Sequence, residues 1–388
     1  MGEDISLYVH YPFCGSKCPY CDFNSYRVGS TDVNSFLEAY TREITHYSEI
    51  LGNRVVNTVF FGGGTPSLMS ANFLGTILNT IDRSFRLVEK AEISLEANPT
   101  KFESGKFEEF RSLGVNRLSI GVQSMDNQNL KFLGRSHGRG EILKAIDVAQ
   151  ERFGDRYSID MIYALPEQRL QKWLKELNEA TILSPNHLSL YQLTIEPETE
   201  FHRRGVKSLE EEEAAEMYRV TGEFLESRGI HLYEISNYAR EGYECHHNLN
   251  YWNSGEWLGI GAGAHSRLCF DDRFAGGYRL RSALENIKNP LDWQRSVMKY
   301  GHGSRVVDSL SREEFIEEIL LMGLRLRSGI ALENVKKYLA LGSGGILELL
   351  AGNYEYLVEK KYIEVSNDGI RVSPEHLRIL DSILERIL

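Results

Sequence analysis

Three cysteines stand close together near the start of the chain, Cys14, Cys18 and Cys21 in YPFCGSKCPYCDF. Three and two intervening residues let one tight loop aim all three sulfurs inward, which suits a metal centre. A structural zinc site takes four protein ligands, usually as two separated pairs. Here a fourth could come only from afar, from Cys245, His246 or His247. An iron–sulfur cubane is ordinarily held by four cysteines. Three would leave one iron open to a small molecule, which is a feature of catalysis or sensing.

Other polar residues fall where a βα fold holds its ligands, at the carboxyl ends of strands. The second strand of the pattern ends in Gly62-Gly63-Gly64-Thr65-Pro66, the third at Glu96 and Asn98, the fourth at Gln123, and the fifth carries Asp160. A glycine run lets the backbone approach a ligand, although a tight turn alone would explain it. Burying the polar groups without partners would cost about 1–3 kcal/mol each. A polar-lined cavity for a zwitterionic nucleoside accounts for them better.

A second constellation is CHHNLNYWNSGEWLGIGAGAHS, which reads as irregular functional loop. A neutral imidazole is a good axial ligand for haem iron, and Tyr251, Trp252 and Trp257 offer flat apolar surface for a macrocycle. The plainer reading is a loop histidine bonding locally under an aromatic cover. His247 is the candidate ligand, with His246 and Cys245 as alternatives. Cys269, in SRLCFDD, reads as an ordinary strand cysteine.

These residues need a scaffold. Six β-rich runs, from ISLYVHY to HLSLYQLTI, are each followed by a polar segment of helical period. Strands alternating with helices mean parallel βαβ units. Six units suit an open, partial barrel, or else a doubly wound sheet. After GHGSR, Ser311 and Glu314 stand in capping-box spacing before an apolar run. Helical segments LENVKKYLAL and ILELLAGNYEYLVEKK follow, then YIEVSNDGIRVS with the turn of a hairpin. The pattern predicts an α/β fold, a partial (β/α)6 barrel over 1–240, an irregular region over 241–305 that closes it, and a small winged-helix-like α+β domain over 306–388.

The 388 residues carry a net charge of −11, which argues against nonspecific nucleic-acid binding, since that rests on Lys and Arg against phosphate. The acidic start lacks the features of a signal peptide, and no apolar run approaches the ~18 residues of a membrane span. Five cysteines, an odd count, do not make a disulfide framework. A reduced, cytoplasmic protein is the expectation.

The cysteine loop after a first strand, with Tyr20 before the last cysteine, is similar to the signature of radical S-adenosylmethionine (SAM) proteins. The resemblance implies a [4Fe-4S] cluster on Cys14, Cys18 and Cys21, whose open iron chelates SAM; reducing the cluster cleaves SAM to a 5′-deoxyadenosyl radical. YVHYPFC, GGGTP, SLEANP, GVQ, GRSH and IDMIY further resemble recurring pieces of the coproporphyrinogen oxidase-like branch, over most of residues 1–270. By that resemblance Tyr8, Tyr20, Gly63, Gly64, Thr65, Glu96, Gln123, Arg135 and Asp160 contact SAM.

Two features depart from the anaerobic oxidase. It has a further cysteine where this chain has Phe23, and a longer segment ahead of the cluster. Both departures, with HNLNYW, resemble instead the HemW group, oxidase-like proteins regarded as haem chaperones. This implies haem bound at His247 and passed to apo-haemoproteins of respiration. It also implies a dimer promoted by the cluster and a loose association with the inner face of the membrane. The alternative is radical decarboxylation of porphyrinogen propionates, and a third reading is a zinc-stabilised protein with no redox role.

Overall fold

The computed structural model describes residues 4–29, 32–184, 186–270, 274–275, 277–342, 344–350 and 354–388. Its main sheet is built on six parallel strands: β1 (Asp4–Tyr11), β2 (Val55–Gly63), β3 (Arg86–Ala97), β4 (Arg117–Gln123), β5 (Tyr157–Tyr163) and β6 (His187–Gln192). Helices between them include α1 (Leu37–Leu51), α2 (Ala71–Ser84), α3 (Arg139–Phe153) and α4 (Leu170–Leu183). The last of the repeat, α5 (Glu211–Glu226), follows β6. This is the α/β repeat of parallel strands and helices expected from the alternation.

The strands show how the sheet sorts its residues. Side chains alternate between faces. Ile5, Leu7, Val9 and Tyr11 of β1 join the apolar core, as do Val59 and Phe61, Ile93 and Leu95, Leu118 and Ile120, Ile159 and Met161, and Leu188 and Leu190. The opposite face carries Ser6, Tyr8 and His10, then Thr58, Glu92, Ser94, Glu96, Arg117, Ser119, Asp160 and Ser189. The polar lining thus runs the length of the barrel, from floor to rim.

The sheet does not stop at six strands. Beyond β6 lies β8 (Asn237–Ala239), antiparallel to it, and then β7 (His231–Glu234), antiparallel to β8. On the other edge β9 (Glu256–Ile260) pairs parallel with β1, followed by antiparallel β10 (His265–Leu268), β11 (Ser282–Asn286) and β12 (Ser304–Ser309). Among the described residues, much of the stretch expected to be irregular is regular secondary structure. It begins with α6 (His246–Trp252), adds these strands, and includes α7 (Pro290–Tyr300).

The carboxyl-terminal unit has its own apolar core, built on Phe315, Ile319, Leu357, Ile370 and Ile383. Its first helix α8 (Arg312–Gly323) opens with the expected Ser311–Glu314 capping box. The hairpin of β14 (Ile363–Val365) and β15 (Gly369–Val372) also forms, joined by β13 (Ile330–Ala331). The two helices expected between them are shorter. Only Leu332–Val335 of the first is helical, and Leu339 farther on bridges to Tyr278. The second is a 3-10 turn at Gly345–Leu349 and a helix at Tyr354–Glu359, with 351–353 outside the described residues. A final helix, α9 (Leu380–Ile387), packs on the same core. Cys269 sits one residue beyond β10 and is buried in this core; Asp271 and Asp272 of its segment lie outside the described residues.

Candidate functional site

The cysteine loop leaves the top of β1 and is closed by a two-residue pairing of Phe13–Cys14 with Tyr26–Arg27. Within it Lys17 Nζ donates to the carbonyls of Phe23 (3.1 Å) and Ser25 (3.3 Å). Asn24 Nδ2 donates to the carbonyls of Ala262 and Lys288, both at 3.0 Å. The Gly-rich segment after β9 is thus the seat of the loop. Gly261 and Gly263 have φ of +104° and +77°, and a Cβ would stand 2.3 Å from His10 O at the first and 2.3 Å from Asn24 Nδ2 at the second. Glu43 of α1 holds that seat from below, accepting from the backbone N–H of Gly261 (2.9 Å) and Gly303 (2.7 Å) and from the Trp293 indole. Sequence reading missed Asn24, Glu43 and the two glycines, since their partners lie hundreds of residues away.

The glycines of GGGTP face the same loop. A Cβ on Gly63 would meet the His10 ring at 2.7 Å, and one on Gly64 would meet Phe13 O at 2.6 Å. Gly64 N–H donates to Tyr11 O (2.7 Å) and Thr65 N–H to Phe13 O (2.9 Å). Close approach of the loop's root is what requires glycine here.

Burial pushes the Cys14 and Cys21 thiols up, and neighbouring thiols add to the rise. Neighbouring thiols that oppose the ionisation of Cys14 and Cys21 call for a cationic partner. Among the described residues no three Cys, His, Asp or Glu side chains converge as they would on a single ion. A cubane makes no such demand, because each sulfur takes a different iron. The donor set fits that group. Cys245, which a zinc reading would recruit, is at the other end of the barrel, its thiol 3.5 Å from Glu92.

Arg135 ties the loop to the strands. Its guanidinium donates to Cys18 Sγ (3.4 Å), Tyr20 OH (3.3 Å), Gly121 O (2.9 Å) and the Asn98 amide oxygen. Asn98 Nδ2 reaches Thr65 Oγ1 at 3.4 Å. Glu96 accepts from Gly63 N–H at 3.0 Å, and burial, reinforced by the charge of Asp160, raises its carboxyl to about 8. Asp160 accepts from Ser119 Oγ at 2.8 and 2.9 Å; burial raises its pKa against that bond. Gln123 takes φ +69°, a left-handed conformation uncommon outside glycine. Of the expected SAM residues, Gly63, Gly64, Thr65, Glu96 and Gln123 stand at the carboxyl ends of β2, β3 and β4, Tyr20 and Arg135 come from loops, and Tyr8 and Asp160 lie mid-strand in β1 and β5.

At the opposite end, α6 plugs the barrel floor. Glu92 receives the His247 backbone N–H at 3.1 Å and stands 3.6 Å from Arg117, which donates in turn to the carbonyls of Tyr243 (3.0 Å) and Glu244 (3.4 Å). His247 is 1% exposed and stacks on Phe60 at 5.1 Å. Its Nδ1 lies 2.7 Å from Thr58 Oγ1 and its Nε2 2.7 Å from Tyr251 OH. Thr58 donates its own proton to Ser6 Oγ at 2.8 Å. Nδ1 therefore carries the hydrogen, and the Nε2 lone pair accepts from Tyr251. Burial lowers the ring's pKa to about 3, so it is neutral. His246, its neighbour, is exposed, and Cys245 is buried with its thiol pushed up to about 12.

Barrel, cysteine loop and appended unit together define a class. The profile of the radical SAM superfamily matches residues 8–180, and that of the HemN C-terminal domain matches residues 310–377. The solved coproporphyrinogen III oxidase HemN of Escherichia coli shares the fold, with TM-score 0.81 at 21% identity over 100% of this chain and 90% of that one. The heme chaperone HemW of Escherichia coli is 36% identical over 80% of this chain and 85% of its own length, and that of Bacillus subtilis 34% over 94% of each. Radical S-adenosyl methionine domain-containing protein 1, mitochondrial, of Bos taurus is 36% identical over 100% of this chain and 88% of its length. The chain belongs to the radical SAM superfamily and, within its coproporphyrinogen oxidase-like branch, to the HemW group. No helix of the described residues is long and apolar enough to cross a membrane.

Proposed function

We propose that the chain is a haem chaperone, which binds haem at α6 and passes it to apo-haemoproteins of respiration. Cys14, Cys18 and Cys21 hold a [4Fe-4S] cluster, and Tyr8, Tyr20, Gly63, Gly64, Thr65, Glu96, Gln123, Arg135 and Asp160 hold SAM. When bound, the cluster supplies an open iron for SAM's amino and carboxylate groups and an electron for its cleavage. Arg135 sets its charge against Cys18, while Glu96 and Asp160 offer carboxylates to a cationic ligand. The barrel of 1–240 carries the cofactors, 241–305 the haem motif, and 306–388 a docking face; a dimer and a loose hold on the inner membrane face complete the reading.

The observation that carries haem binding is the state of His247. Its imidazole is neutral, Thr58 fixes the Nδ1–H tautomer, and an ordered Nδ1 partner is what orients a metal-binding histidine. Only a phenol caps the Nε2 lone pair. Exchanging Tyr251 for iron forfeits one hydrogen bond, about 1 kcal/mol net. Tyr251 and Trp257, 4.8 Å apart, offer apolar surface beside it.

The test is a haemin titration of cluster-reconstituted protein under anaerobic conditions, read at the Soret band. A saturable, stoichiometric shift is expected, weakened at least tenfold in His247→Ala and unchanged in His246→Ala. Binding no better than to an unrelated protein sinks the reading. Loss in His246→Ala alone moves the ligand to that exposed ring, and conversion of coproporphyrinogen would replace the chaperone with the oxidase.

A further inference from the structure

Between the two ends of the barrel runs a row of rings that links Tyr8, among the residues proposed for SAM, to His247, the proposed haem ligand. Asn24, on the cysteine loop, offers its carbonyl to His10 Nε2 at 2.9 Å. That bond leaves His10 Nδ1 to accept from Tyr8 OH, at 3.1 Å. The Tyr8 ring stands 6.2 Å from Phe60 and 6.4 Å from His247, and Phe60 stacks on His247 with planes 25° apart. His247 meets Tyr251 at 4.8 Å. The row has no slack behind it, since a Cβ on Gly62 would come within 2.8 Å of the Tyr8 ring and one on Gly63 within 2.7 Å of His10.

We propose that this row couples the sites: SAM seated beside Tyr8 weakens haem binding at His247, with Phe60 as the positioning residue between them. The inference rests on the function proposed above. Haem ligation requires Nε2 to leave Tyr251, and so requires the His247 ring to move. A ligand seated against Tyr8 pins Tyr8, hence Phe60, hence His247 in the closed stack. Close-packed interiors pass on such constraints rather than absorb them. Coupling of this kind is reciprocal, so haem must weaken SAM binding by the same factor. Loss of SAM, by turnover or dissociation, then opens the haem site.

Two measurements on the cluster-reconstituted protein test this. Haemin is titrated with and without saturating SAM, and SAM with and without haemin. SAM is expected to raise the haem Kd at least about fivefold, the low end of common coupling, and haemin to raise the SAM Kd equally. Phe60→Leu, which shortens the stack, is expected to reduce the factor below about twofold while the Soret maximum stays in place. His10→Gln, at the other end of the row, provides a second variant should the first fold poorly. Equal haem Kd values with and without SAM, or a factor untouched in both variants, overturn the proposal. Amide hydrogen exchange over 244–256 decides the coupling without haem: SAM should slow it in the unaltered chain and not in the variants. Unchanged exchange in the unaltered chain counts against the coupling itself, whereas absent haem binding with slowed exchange counts only against the chaperone reading.

Discussion

At the carboxyl end of the barrel burial holds thiols and carboxyls against their ionisation, and at the floor the chemistry is closed upon itself. Cys14 Sγ lies 3.7 Å from a carbonyl and Cys21 Sγ 3.8 Å from a hydroxyl, and burial raises both thiols along with Glu96 and Asp160. His247 has a partner at 2.7 Å on each nitrogen, and its backbone N–H is taken by Glu92. The first end gains by adding a cationic group and a ligand. The second binds only by exchange, a protein group leaving as the ligand arrives. Filling sites and exchange sites fail differently, which the following experiments exploit.

The largest effect is expected at the filling end. Cys18→Ala should cut iron and sulfide after reconstitution at least tenfold, with the brown absorbance gone, while His247→Ala retains both. Equal cluster content in the two would dissolve the contrast.

The pH dependence of stability should divide by the kind of buried group, histidine against carboxyl. His247, His137, His10 and His187 are lowered by burial, the first two to about 3 and 4, so each charges more easily in the unfolded chain. Their stabilisation is present above the ordinary imidazole value near 6.5 and is lost as pH falls below it. Glu43 and Glu96 are raised by burial, to about 7 and about 8. Their contribution is full below the ordinary carboxyl range and is lost as pH rises through those values. Urea midpoints of the cluster-free chain should peak near pH 6.5 and decline on both sides. Glu43→Gln should flatten the alkaline limb and His247→Gln the acid limb; a reversed assignment would refute the division.

Exchange predicts a gain from a loss. Tyr251→Phe removes the group that competes for Nε2, and haem should bind about fivefold tighter, the equivalent of ~1 kcal/mol. Thr58→Val strips the Nδ1 partner and should weaken both haem binding and the fold, the latter by about 1–3 kcal/mol. Weaker haem binding in Tyr251→Phe would mean the phenol helps rather than blocks. The smallest effect belongs to Phe23, which is 57% exposed on the cysteine loop. Phe23→Ser should alter stability by no more than about 0.5 kcal/mol and leave iron content unchanged, measured by the same melts and assays.

The cysteine loop was legible because its three thiols lie on one short segment, and the strand-end residues because alternation marks where a βα fold faces its ligands. Reading only the ends missed Ser6, Thr58, Glu92, Arg117 and Ser119, although the same period of two would have found them. Asn24, Glu43, Gly261 and Gly263 were not legible, since each is defined by a contact across roughly 200 residues or more. HNLNYW looked irregular for its asparagines and aromatics, which disfavour isolated helices. Tertiary bonds to Glu92 and Thr58 override that weak preference.

The pairing of β1 with β9 brings Ile5 beside Glu256. During synthesis, at ~5–20 residues per second, roughly 10–50 s separate the emergence of those two partners. Until then the first strand has one open edge, and the cysteine loop above it lacks the carbonyls of Ala262 and Lys288 that will hold Asn24. The nascent chain therefore presents its three thiols on an unseated loop for most of its translation. Delivery of iron and sulfur in that interval meets little steric resistance, whereas delivery afterwards must enter a loop already stitched down.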